Sequence, residues 1–393
     1  MTAFPDVGQP PALEAWYRQQ LGGARFDISS SGVRCYTFGE LRTLLNLTSR
    51  DLDAIALDDS VSYGAPELRQ AIADRYAGGD ASRVIATHGS SEAIALVLSA
   101  LLAPGDRVVV VDPIYHAFRT YAELQRCEVV RLPVAALADD DRRSQTIRAA
   151  VTPTAKAVIV NFPHNPTGRT LSLDAFQFLV ARVTEVGAIL VWDAAMAELP
   201  MSAGSIPPRT PVPDEVVGIG TLSKAFGLPG LRVGWCIATP ALLERMLPMR
   251  DRTTLFLSPL VELIATRAIQ HADKLIAPRL EQARRNLDVV DGWVAQHRDV
   301  VTWRRPDGGV CGLLDVRGVS DTYALCRELA EQTGVLLVPG CAFDSPTAVR
   351  IGYGGDAADL KAGLRLLARF LRRRGVPERD HGAGRQDDLS NTK

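Results

Sequence analysis

The sequence predicts an α/β fold, with a large lobe on a mainly parallel seven-stranded sheet and a smaller α+β lobe. Three observations point there. Short apolar runs alternate with helical patterns between about residues 83 and 237, as expected of strands joined by helical crossovers. Past Pro259 the pattern becomes long and helical, and near the C-terminus two more apolar runs precede a final amphipathic helix. The chain has 393 residues, 47% hydrophobic and 23% charged, which excludes disordered, collagen-like and low-complexity classes. A prior of ~150 residues per domain suggests one two-lobed unit or two to three domains.

The first strand is read at Arg83–Thr87, followed by a helix over Ser91–Leu102. Pro104-Gly105-Asp106 then turns the chain into a strand at Val108–Val111. Further strands fall at Glu128–Leu132, Ala157–Asn161, Ala188–Trp192, Val216–Gly220 and Val233–Ile237, with a helix over Leu173–Val186. Leu275–Gln296 carries apolar residues at helical spacing opposite a charged face. Strands at Gly334–Val338 and Ala348–Gly352 and a helix over Ala358–Arg372 complete the smaller lobe. The expected division is a flexible segment at 1–12, the N-terminal part of the small domain at 13–45, the large domain at 46–280, the C-terminal small domain at 281–375, and a polar, disordered tail at 376–393.

Lys and Arg total 44 against 45 Asp and Glu, a net charge of −1. That balance argues against nucleic acid or an acidic membrane as partner and favours a small-molecule substrate. The most apolar run, Ala93–Ala103, is far shorter than the ~18 residues a membrane span needs. The start, with Asp6 among Pro5, Pro10 and Pro11, lacks a basic-then-apolar leader, so a cytoplasmic location is expected. Six scattered cysteines form no CxxC pair and the six histidines no HExxH, so no metal is expected.

The most specific stretch is Thr221-Leu222-Ser223-Lys224, with Arg232 eight positions beyond the lysine, in a run reading Gly230-Leu231-Arg232-Val233-Gly234-Trp235. A lone loop lysine is usually a solvated charge. An amine that forms a Schiff base needs a phosphate clamp nearby if its partner is pyridoxal phosphate, and Thr221, Ser223 and Arg232 are the donor types that would bind one. Asn161-Phe162-Pro163-His164-Asn165-Pro166-Thr167-Gly168 makes a rigid turn that presents Asn165, although Asn-Pro-x-Gly alone is only a turn. Asp193 ends an apolar strand, where a buried anion requires a cationic partner. His88-Gly89-Ser90-Ser91 sits between strand and helix, where free backbone N–H groups make a weak anion signal.

In their order along the chain, these segments and a late Arg350-Ile351-Gly352 resemble fold-type I pyridoxal-phosphate enzymes of the aspartate aminotransferase family. The resemblance implies that Lys224 holds the cofactor covalently and acts as base, with Asp193 facing the pyridine nitrogen and Asn165 the phenolic oxygen. It makes Gly89, Ser90, Ser91, Thr221, Ser223 and Arg232 the phosphate cup, and Arg350 the bidentate partner of the substrate α-carboxylate. Tyr115 resembles the aromatic that stacks on the cofactor ring, ordinary core packing being its competitor. The resemblance also implies a cis Asn165–Pro166 bond and a homodimer. Two positions depart from the pattern: Met196 stands where a tyrosine is common, and Tyr63 lies directly against Gly64-Ala65-Pro66-Glu67-Leu68-Arg69 rather than several residues before it.

Within that family, Asp27-Ile28-Ser29-Ser30-Ser31-Gly32-Val33, Tyr36-Thr37-Phe38-Gly39-Glu40-Leu41-Arg42, Thr87–Ala93 and Leu257-Ser258-Pro259-Leu260-Val261-Glu262 resemble the capreomycidine synthases of antibiotic pathways. That likeness implies conversion of (2S,3S)-3-hydroxyarginine to (2S,3R)-capreomycidine by β-elimination of water and addition of the substrate's own guanidine, in viomycin-like or streptothricin-like biosynthesis. Ser31 and Gly32 then join Arg350 as substrate-binding residues. The alternative is an aminotransferase acting on an arginine-like amino acid; a non-catalytic ligand-binding protein is disfavoured by the intact lysine, aspartate and arginine set.

Overall fold

The computed structural model describes residues 10–137, 140–207 and 209–375. Most of the expected N-terminal segment (1–9) and all of the expected tail (376–393) lie outside them. Thirteen strands are numbered in chain order: β1 (Phe26–Asp27), β2 (Val84–Thr87), β3 (Arg107–Asp112), β4 (Glu128–Pro133), β5 (Ala155–Asn161), β6 (Ile189–Asp193), β7 (Val216–Thr221), β8 (Gly234–Ile237), β9 (Val301–Trp303), β10 (Cys311–Val316), β11 (Val335–Leu336), β12 (Val338–Pro339) and β13 (Ala348–Gly352).

The large sheet has seven strands in the order β2-β8-β7-β6-β5-β3-β4. Only β8 runs against its neighbours; β3 to β7 pair in parallel. The sequences of β3, β5, β6 and β7 are nearly continuous apolar runs because helices cover both faces, whereas the edge strand β4 keeps Glu128 and Arg131 exposed. Every residue of β2, β7 and β8 is buried. One helix, Gly89–Leu101, starts two residues after β2 and is buried along most of its length. Another, Leu173–Glu185, is capped by Ser172, whose Oγ accepts from the Ala175 amide at 3.2 Å. The register pairs Asn161 with Asp193 and Asp193 with Ile219, so chemically useful residues line up along one sheet edge. That edge is where open parallel sheets bind ligands.

The smaller lobe holds an antiparallel sheet, β12-β13-β10-β9, and the parallel pair β1-β11. The single strand expected at Gly334–Val338 is two, with β11 pairing with β1 and β12 with β13. Between them Leu337 gives its carbonyl to Trp16 Nε1 at 2.9 Å. An unbroken apolar run hides this change of partner, because burial continues while the hydrogen bonds switch sheets. The β1-β11 pairing joins residue 26 to residue 335, so the N-terminal segment packs with the C-terminal one. The remaining expected elements end within three residues of the observed bounds. No helix among the described residues is long and apolar enough to cross a membrane.

Candidate active site

Three adjacent strand ends make the floor of the site. At the end of β5, Asn161 accepts from the Asn165 amide at 2.7 Å through its Oδ1 and donates to the Asp193 carbonyl at 3.2 Å. Trp192 Nε1 donates to the Phe162 carbonyl at 3.0 Å, and Asn165–Pro166 is cis. These bonds hold the Asn165 side chain over the sheet edge. Asp193, at the end of β6, is buried and accepts one bond, from the Ala195 amide at 2.9 Å. Burial pushes its pKa up to about 6. Lys224 follows β7 and donates to Ser31 Oγ at 2.8 Å. Desolvation, then the Arg350 guanidinium, lowers its pKa, which favours a neutral amine able to take a proton.

Beside this floor the helix Gly89–Leu101 points its N-terminus into the cleft. Gly89 has φ +73°, and a Cβ there would sit 2.6 Å from an Arg232 guanidinium nitrogen. Glycine therefore lets Arg232 cross the helix end, beside Ser90 and Ser91 of the first turn. Arg232, itself at φ +53°, reaches Ser223 Oγ at 3.5 Å and the Pro229 carbonyl at 3.3 Å. Thr221 Oγ1 donates to Ser223 Oγ at 3.0 Å and accepts from the Ser223 amide at 3.1 Å. Helix-terminal amides, hydroxyls and a guanidinium together form an anion cup.

The smaller lobe supplies the opposite wall. Arg350, on β13, is 1% exposed; it donates to Asn165 Oδ1 at 3.0 Å, to the Tyr17 hydroxyl at 2.7 Å and to the Ser29 carbonyl at 3.0 Å. Its Nε is buried without a hydrogen-bond partner. The cleft between the walls is about 760 Å³. Ser31, Ser90, Ser91, Tyr115, Asn165, Asp193, Ser223, Lys224, Arg232 and Arg350 all line it. Gly32, Gly89 and Thr221 stand behind that lining: Gly32 against the Ser223 carbonyl, Gly89 under Arg232, Thr221 under Ser223. Tyr115 packs on His116 with ring centroids 4.4 Å apart.

The same cleft exposes residues that the sequence reading passed over. Leu13, Glu14 and Tyr17 come from the helix Ala12–Gln20; Asp27, from β1, opens the Asp27–Val33 motif, though without an assigned role there. No local spacing marks them, since a short amphipathic helix shows its contacts only in the fold. Asn161 was within reach, being polar at the end of an apolar strand. His164 is a brace: buried, it bonds Thr167 Oγ1 at 2.7 Å and the Pro113 carbonyl, and burial holds its pKa at about 4, hence neutral. Met196 lines the cleft and packs on Gly309, filling the place where the sequence pattern suggests a tyrosine.

The chain matches the family described as aminotransferase class I and II over residues 60–367. It belongs to that family. A capreomycidine synthase from Streptomyces vinaceus is 39% identical, with 95% of this chain and 98% of the relative covered. Among solved structures, the PLP-dependent cyclase OrfR superposes with a TM-score of 0.91 at 50% identity, covering 95% of this chain and all of the other. An arginine–pyruvate transaminase from Pseudomonas aeruginosa is 27% identical, with 88% of this chain and 94% of the relative covered. Membership places the chain among fold-type I enzymes, in keeping with its parallel sheet and strand-end lysine. Among the described residues no group of three or more His, Cys, Asp or Glu side chains could hold a metal.

Proposed function

We propose that the chain is a pyridoxal-phosphate-dependent cyclase of the capreomycidine synthase type, converting (2S,3S)-3-hydroxyarginine to (2S,3R)-capreomycidine with loss of water. The observation that carries this reading is likeness over almost the whole chain to a capreomycidine synthase and to a PLP-dependent cyclase. The cleft fits the cofactor. Asp193 is a buried carboxylate with a single hydrogen bond, suited to a protonated ring nitrogen. Gly89 leaves space that a Cβ would close, and Arg232 with the helix N-terminus suits a phosphate.

In this reading Lys224 bonds the cofactor, Asp193 faces its nitrogen, Asn165 its phenolic oxygen and Tyr115 its ring. Gly89, Ser90, Ser91, Thr221, Ser223 and Arg232 hold its phosphate. Bound there, the cofactor supplies an electron sink for negative charge at the substrate Cα. Arg350 orients the α-carboxylate. Lys224, its pKa lowered by desolvation, takes the α-proton. Ser31, bonded to Lys224, and Gly32 lie on the substrate side. Ring closure is intramolecular, so a correctly folded substrate replaces a second binding event.

The arginine–pyruvate transaminase likeness supports the second reading, amino transfer from an arginine-like substrate. Product analysis separates the two: loss of one water for the cyclase, exchange of the amino group for an oxo group for the transaminase. We also assign the chain to the cytoplasm as a homodimer, and place its lobe boundaries near residues 46 and 280. Supporting the dimer, Leu57, Val61, Leu255 and Leu260 are 78, 52, 50 and 37% exposed. Glu262 ties their segments together by accepting from Ser60 Oγ at 2.6 Å and the Ala65 amide at 2.7 Å.

A further inference from the structure

Six ionised-type side chains line the cleft: Glu14, Asp27, Asp193, Lys224, Arg232 and Arg350. On the proposed function, which this inference deepens and on which it rests, four have tasks: Asp193 and Arg232 toward the cofactor, Lys224 toward the α-proton, Arg350 toward the α-carboxylate. Two carboxylates remain, and the substrate has one charge unaccounted for, its guanidinium. We propose that Glu14 and Asp27 bind that guanidinium and set the specificity for it.

The geometry of both acids supports the assignment. Glu14 Oε1 is held by His116 Nε2 at 3.1 Å and by the Tyr115 hydroxyl at 3.4 Å. His116 first, and Tyr115 in a lesser share, lower the Glu14 pKa, which keeps it ionised. Asp27 Oδ1 accepts from the Ser29 amide at 2.9 Å and from Ser29 Oγ at 2.6 Å. In each carboxylate the second oxygen has no hydrogen-bond partner among the described residues, and a guanidinium fork seeks such oxygens. Arg350, 1% exposed with an unpartnered Nε, lines the same cleft and holds a buried positive charge there.

Position also matches the chemistry. From Arg350, hydrogen bonds of 2.7, 3.2 and 2.6 Å lead through the Tyr17 hydroxyl and Ser29 Oγ to Asp27. Asp27 thus stands close to the carboxylate anchor. Cyclisation needs that proximity, because the guanidine nitrogen must bend back to the carbon beside Cα. An extended arginine chain would instead call for acids at the far end of the cleft.

The test titrates cofactor-loaded protein with L-arginine and with L-citrulline, whose neutral ureido group replaces guanidinium, and reads Kd from the cofactor absorbance. Neither ligand has the 3-hydroxyl, so no water is lost. Wild-type protein is expected to prefer arginine; Glu14→Gln and Asp27→Asn should each weaken arginine roughly 10- to 100-fold while leaving citrulline within about twofold, as for a lost charge-assisted hydrogen bond. Glu14 is half-buried and Asp27 exposed, and cofactor content checks that the variants keep a folded site. An arginine preference that survives in both variants, or equal weakening of both ligands, overturns the assignment and leaves the cyclase reading standing. A wild type without preference for arginine overturns both.

Discussion

Asp193 pairs a structural cost with a functional use. Its pKa is raised from 3.8 to about 6 by burial, so in the cofactor-free protein its ionisation opposes folding. The sign follows from linkage: the folded state holds the proton more tightly, so stability falls as pH rises from about 4 to about 6. Above that, the full penalty is about 3 kcal/mol. Cofactor-free Asp193→Asn should therefore melt higher than wild type at pH 7.5, with the difference closing by pH 4. Adding cofactor should stabilise wild type more than the variant, because a ring cation relieves only a carboxylate; calorimetric melting curves check both. Tyr17 gives a second test. Tyr17→Phe removes an acceptor 2.7 Å from Arg350, leaving a buried donor short of a partner. KM should rise about tenfold for a hydrogen bond to a charged group, with a smaller change in kcat; an unchanged KM would detach Tyr17 from substrate binding.

At the scale of elements, the turn from β2 into the helix Gly89–Leu101 decides how well an anion is held. Gly89→Ala forces a side chain into φ +73° and into the Arg232 guanidinium. The backbone strain is about 1–2 kcal/mol. Cofactor dissociation, followed by absorbance during dialysis, should accelerate in this variant. The large sheet was legible in the sequence because each buried parallel strand is one apolar run followed by a helix. Lys224, Asp193 and Asn165 were legible for a related reason: each follows such a run, where a polar residue stands out, and the fold brings all three to one cleft. The smaller lobe was not. Strands β1, β11 and β12 are two residues long, and β1 finds its partner more than 300 residues away, so no local pattern encodes the pairing. The helix Ala12–Gln20 shares that fate, since Glu14 and Tyr17 gain meaning only once β1 has joined β11.

Considered whole, the molecule holds a cleft between two lobes, and segments far apart in sequence build the same wall of it: β13 carries Arg350, which donates to Tyr17 of the helix Ala12–Gln20, the helix that also carries Glu14. If the proposed homodimer forms, the exposed apolar surface around Leu57, Val61 and Leu255 should be covered in it. Leu57→Asp should shift sedimentation-velocity profiles toward monomer, and an unaltered dimer would exclude this surface as the interface. The central claim is that this cleft removes water from a hydroxylated arginine and closes a ring. The most direct measurement is mass spectrometry of the products from (2S,3S)-3-hydroxyarginine in deuterated water, with the cofactor spectrum followed in parallel. The account predicts a cyclic product one water lighter, carrying deuterium at Cα, with the cofactor returning to its starting spectrum. Keto acid formed in step with pyridoxamine phosphate, without cyclic product, would contradict it.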